Sequence, residues 1–132
     1  MRNYQILDVV TIDDDNILSL TNSQDDVNQP SFTMNREGAF IGSSTSIGPL
    51  EIAIRFRYQD FTRRLTHLHP VPGLAVTRQV GSANSYLSLG LTQDEKLVLR
   101  PTVLADAGGH ISFNLVCSSE ARQAILKWLE IE

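Results

Sequence analysis

Cysteine occurs once in this chain, as Cys117, and tryptophan once, as Trp128. A single thiol closes no internal disulfide and builds no cysteine-rich zinc site, and it fits a reducing compartment. No stretch approaches the ~18 consecutive apolar residues that cross a bilayer. The opening Met1-Arg2-Asn3-Tyr4 lacks the apolar run of a signal peptide, so a cytoplasmic protein without membrane attachment is expected. Glycine and proline number only eight and five, which sets aside collagen-like and low-complexity chains.

What is present is a globular mixture. Apolar residues are 42% and charged residues 20% of 132 residues, enough to bury a core in one domain spanning 1–132. The charge is lopsided. Residues 1–51 carry two arginines against eight carboxylates, whereas residues 52–93 carry Arg55, Arg57, Arg63, Arg64 and Arg78 against Asp60 alone. An acidic first part beside a basic middle part explains this as exposed pairs, each worth about 0–1 kcal/mol. The sharper explanation is an anion-facing surface.

Hydrophobic periodicity is mostly that of strands. Tyr4 to Ile12 and Ile17 to Leu20 flank the polar Asp13-Asp14-Asp15-Asn16 and read as a hairpin. Thr21 to Pro30 is a polar, mobile loop, and Phe32 to Ile41 holds one or two strands around Glu37-Gly38. The run Gly42 to Gly48 is small and polar and is expected to be loop. In Leu50 to Tyr58, Leu50, Ile52, Ile54, Phe56 and Tyr58 alternate with Glu51, Ala53, Arg55 and Arg57, the mark of a half-buried strand. The period then changes, because Phe61, Leu65 and Leu68 share a helical face over 60–68, with Asp60 as N-cap and Pro70 and Pro72 stopping the helix.

Four strand signals follow: Leu74 to Val80, Tyr86 to Leu91, Leu97 to Leu104 and Ile111 to Cys117. Short turns between them imply an antiparallel meander. Pro101 donates no ladder hydrogen bond and is expected at an edge or a bulge. Ser118-Ser119-Glu120 then caps a terminal helix whose stripe of Ala121, Ala124, Ile125, Trp128 and Leu129 docks on the sheet, with Trp128 as anchor. The fold class expected is α+β: a mostly antiparallel sheet or barrel-like sandwich of about seven to eight strands, a short middle helix and a C-terminal helix packed on the sheet.

Catalytic and metal signals are weak. His67 and His69 could point to one side as a metal pair, with His110 or an aspartate as third ligand, but the plainer explanation is a polar helix end. The Asp13 run lacks the glycine and twelfth-position glutamate of a calcium loop, and 42–48 has neither a P-loop ending nor a Gly-x-Ser-x-Gly elbow. Cys117 is in phase with Ile111, Phe113 and Leu115 and reads as a small buried hydrophobe. No catalytic residue, metal or cofactor is therefore expected.

The unusual feature is the arginine set Arg55, Arg57, Arg63, Arg64, Arg78 and Arg100, whose planar forks suit phosphate and carboxylate. Aromatic platforms for bases are scarce, which disfavours nucleic acid. The closing strand, Ser-Ser-Glu and Trp128 helix resemble in outline the end of a pleckstrin-homology domain, and Arg55-x-Arg57 is similar to its phosphoinositide-contacting pair. That family's basic pair lies in its early strands, and no functional residue is carried over. The function expected is a non-catalytic protein-interaction or regulatory module. It would self-associate through an edge near Pro101 or through the apolar Val98, Leu104 and Val116. The alternative is a domain that binds a small anionic, phosphate-bearing ligand through the central arginines.

Overall fold

The computed structural model describes residues 4–24, 30–73 and 76–130. Its strands are β1 (Tyr4–Leu7), β2 (Val9–Ile12), β3 (Leu18–Thr21), β4 (Pro30–Glu37), β5 (Phe40–Ile47) and β6 (Leu50–Arg57). Helix α1 (Tyr58–Thr66) follows, then β7 (Pro70–Val71), β8 (Arg78–Gly81), β9 (Ser85–Thr92), β10 (Leu97–Leu104), β11 (His110–Ser112) and β12 (Asn114–Cys117), and finally α2 (Ser119–Trp128).

Two sheets form. One is an antiparallel meander in the order β2-β3-β4-β5-β6. The other is a seven-stranded mixed sheet ordered β1-β12-β10-β9-β7, with β11 also on β10 and β8 also on β9. The inner faces meet in one core. The meander contributes Leu18, Leu20, Phe32, Met34, Ile41, Ile52, Ile54 and Phe56, and the mixed sheet Leu87, Leu89, Leu97, Leu99, Leu115 and Cys117. Helix α1 packs against β6 and β8, and α2 against β2, β3 and β12. Phe61 and Leu65 from α1, and Ala121, Ile125 and Leu129 from α2, complete the core.

The α+β class, the antiparallel meander from β8 to β12 and both helices match the sequence reading. The barrel does not. The sheets stay separate, with β6 and β8 close but unladdered, and no barrel closes. Twelve strands, rather than seven or eight, lie among the described residues. Part of the excess comes from two expected strands that split. Tyr4 to Ile12 divides at Asp8, so that β1 pairs parallel with β12 while β2 pairs with β3 in the other sheet. Ile111 to Cys117 divides at Phe113, whose N–H donates to the Pro101 carbonyl at 3.1 Å.

That division explains Pro101. It lies in an interior strand, opposite Leu87 of β9, and not at an edge. A strand residue turns its N–H and C=O toward the same neighbour, so the donor proline lacks would face Phe113, and the missing bond interrupts the ladder between β11 and β12.

The expected loop at 42–48 is also corrected. Its residues form most of β5, flanked on both sides by full ladders to β4 and β6. Small hydroxyl side chains sit at its inward positions: Ser43 is buried and donates to the Ile54 carbonyl at 3.1 Å, and Thr45 is buried beside it. The core tolerates the Ser43 hydroxyl because it bonds to backbone. Half of the expected mobile loop, 25–29, lies outside the described residues. Its start is tied down, since Ser23 donates its N–H and hydroxyl to Asp8, both at 2.7 Å, and Asn22 Nδ2 donates to the Ile6 carbonyl.

Candidate functional site

The arginines do not converge into one cluster. Arg55 and Arg57 stand on the outer face of β6, as the alternation of Ile52, Ile54 and Phe56 inward requires. Arg63 and Arg64 lie in the last turn of α1, where cations suit the helix dipole, and Arg63 pairs with Asp60 at 3.8 Å. Arg78 is exposed on β8 and donates to the Thr77 carbonyl. Arg100 belongs to β10, in the other sheet.

One cleft forms where β4 turns into β5 and β6 runs into α1. It encloses about 590 Å³ and is lined by Arg36, Gly38, Ala39, Phe40, Arg57, Tyr58 and Gln59. Ladder pairing assembles it. Glu37 faces Phe40, and Phe40 faces Arg57, so the hairpin end carries residues from three strands to one place. Gly38, at φ +64°, makes the turn. The Tyr58 N–H donates to the Ala39 carbonyl at 2.9 Å and locks the helix start onto the turn.

Two guanidinium groups are fixed by aromatic rings. The Arg36 Cζ lies 3.7 Å from the Tyr58 ring centroid while its Nε donates to the Gly38 carbonyl, and the Arg55 Cζ lies 4.3 Å from Phe40. Arg55 also approaches Glu37 at 3.9 Å. Among the described residues, no carboxylate pairs with Arg36 or Arg57. No side chain caps α1: the N-cap is Arg57, and the expected cap Asp60 lies in the first turn. The correction follows from β6 running directly into the helix, which places the boundary at Arg57. The exposed side chains of Arg36 and Arg57, the aromatic walls and the helix's positive end give a cleft suited to an anion.

Arg36 was missed in the sequence because it lies in the acidic first third. The Glu37-Gly38 turn signalled a hairpin that sets Arg36 opposite Ile41, but its nearness to the end of β6 needs the second pairing, of β5 with β6, which the sequence did not show.

Other candidates fall away. His67 is the C-cap of α1, and its Nδ1 lies 2.7 Å from the Arg63 carbonyl, the polar helix end that the sequence suggested. No group of three or more His, Cys, Asp or Glu side chains is placed to hold a metal among the described residues. Asp13 closes the β2–β3 turn, its Oδ1 accepting from the N–H groups of Asp15 and Ile17. Cys117 is wholly buried, and burial pushes its thiol up to about 12, away from nucleophilic use. The apolar face proposed for self-association changes as well: Val98 and Val116 are buried, while Leu104 stays 39% exposed.

No family model matches the chain, and neither does any curated protein or solved structure with which it was compared. The outline likeness to a pleckstrin-homology domain gains nothing from that comparison, and the site stands on its own geometry.

Proposed function

We propose that this domain is a non-catalytic binding module that takes a small phosphate-bearing ligand in the cleft between the β4–β5 turn and the start of α1. One observation carries the reading: Arg36 and Arg57 face a common cleft of about 590 Å³ with no carboxylate paired to either among the described residues. Two cations match a dianion, and the volume is that of a small-molecule site. Phe40 and Tyr58 supply apolar walls for whatever carries the phosphate. Binding rather than catalysis is favoured because nothing lining the cleft makes a nucleophile-base pair.

Arg57→Glu tests it. Pyrophosphate added to the folded protein is expected to raise its melting temperature and to shift the amide signals of Gly38, Ala39 and Gln59, and the variant is expected to lose both effects. Its own stability should change by less than about 0.5 kcal/mol, as for an exposed residue. Equal responses in the two proteins, or none in the parent, would overturn the site. The protein-interaction reading remains the competitor, and an acidic peptide that binds at Arg57 while pyrophosphate does not would favour it.

A further inference from the structure

Where β2 ends the five-stranded sheet, a groove of about 470 Å³ is lined by Ile12, Asn16, Ala124, Lys127, Trp128 and Glu130. One wall is an edge strand, because β2 pairs with β3 and with no second strand among the described residues. Register fixes which of its groups are left over. The Asp13 N–H donates to the Ile17 carbonyl across the β2–β3 turn, so by alternation the N–H and C=O of Val10 and Ile12 point away from β3. Those four groups find no partner among the described residues. The strand, Val9-Val10-Thr11-Ile12, carries neither the charge nor the proline that protects such edges. The other wall is α2, which packs on both β2 and β3 and so lies over the sheet face, leaving the edge itself uncovered. Ile12 is 50% exposed there, and the partly buried Trp128 is held beside it by its bond to the Asn16 carbonyl.

Charge selects the occupant. Lys127 and Glu130 both line the groove and offset each other. Asp13, Asp14 and Asp15, exposed in the turn that joins Ile12 to Asn16, then leave the end of the groove acidic, and no lysine or arginine pairs with them among the described residues. A second copy of this chain fits poorly. Antiparallel pairing of two β2 strands through Val10 and Ile12 sets Asp14 of each copy opposite Asp8 of the other, and like charges directly opposite are destabilising. We propose that the groove takes an extended segment of a partner protein in which basic and β-branched residues alternate, added to the sheet as a strand beside β2. Its backbone bonds to Val10 and Ile12, its apolar side chains lie against Ile12, Ala124 and Trp128, and its basic side chains, on the opposite face, meet the aspartates of the turn. The site is independent of the cleft at Arg57.

The probe is a blocked peptide of alternating lysine and valine. Its controls are the glutamate–valine peptide and a lysine–valine peptide N-methylated along its bonding edge. In a nuclear magnetic resonance titration of the full chain, the lysine peptide is expected to shift the Val10 and Ile12 amide signals and the Trp128 indole N–H saturably. It should also slow hydrogen exchange at the two amides several-fold, because a strand pairing covers them. Both control peptides are expected to leave these signals in place. Asp14→Lys combined with Asp15→Lys should weaken binding several-fold, and added salt should do the same. Ala124→Gln narrows the groove without changing its charge and should also weaken binding, so that either variant suffices if the other fails to fold. Absence of saturation in the parent, an equal response to the glutamate peptide, or saturation without slowed exchange at Val10 and Ile12 would each overturn the proposal. So would undiminished binding in both folded variants. Protection of Val10 and Ile12 that grows with protein concentration in the absence of peptide would assign the edge to a second copy instead.

Discussion

At Thr45 the physical chemistry of one atom has a measurable consequence. Its hydroxyl is buried at an inward position of β5 and has no hydrogen-bond partner, whereas Ser43 two residues earlier donates to the Ile54 carbonyl. An unsatisfied buried hydroxyl costs about 1–3 kcal/mol. Thr45→Val, which keeps the shape and the β-branch, is therefore expected to stabilise the protein by about 1 kcal/mol, and Ser43→Val to destabilise it or leave it unchanged. Urea unfolding of the two variants beside the parent decides the matter, and a loss of stability in Thr45→Val would contradict the assignment. The same scale shows why residue-level reading fell short here. Ser44, Thr45 and Ser46 announce a loop by composition, and only the partners on β4 and β6 make them strand. Cys117 is the opposite case, because its phase with Leu115 sufficed to place it inside.

Among the elements, the helices depend on contacts far away in the chain. Trp128, expected as the anchor of α2, is only partly buried, and its Nε1 donates to the Asn16 carbonyl in the β2–β3 turn at 2.9 Å. Ala121, Ile125 and Leu129 do the burying. The Tyr58 hydroxyl, at the start of α1, donates to the carbonyl of Leu129, the C-cap residue of α2, and so joins the beginning of one helix to the end of the other. Tyr58→Phe retains the ring under Arg36 and removes only this bond. It is expected to cost about 1 kcal/mol and to speed hydrogen exchange at the last turn of α2; unchanged exchange there would show that the bond does not hold the helix end. The helices themselves were legible from the spacing of Phe61 and Leu65 and from Ser118, whose hydroxyl accepts from the Ala121 N–H as a cap should. Their partners were not, since periodicity shows which face is buried and is silent on what buries it.

For the whole molecule, Asp8 is the point where one strand run is divided between two sheets. The side-chain hydroxyl of Ser23, and then its N–H, bond the Asp8 carboxylate and hold it below the ordinary value of 3.8. A carboxylate whose folded value is depressed stabilises the fold above the unfolded value, and that stabilisation is lost as pH falls through the folded value. Asp8→Asn is expected to be less stable than the parent at neutral pH, with the gap narrowing only below about pH 3.8 and closing in stronger acid. Denaturation measured across that range checks the sign, and a gap that persists unchanged in acid would show that the charge is not involved. Asp94, lowered chiefly by the Thr92 hydroxyl, loses its contribution in the same direction. By itself the sequence determined the α+β class, the faces of β6, β9 and β10, both helices and the presence of arginines without an obvious role, because each follows from spacing along a few residues. Only the tertiary structure decided that Tyr4 to Ile12 serves two sheets, that Pro101 is interior, that Arg36 joins Arg57, and that Arg100 stands apart on the opposite face. Each of these is a matter of which strands pair, and pairing is set by the packing of the whole chain rather than by any segment of it.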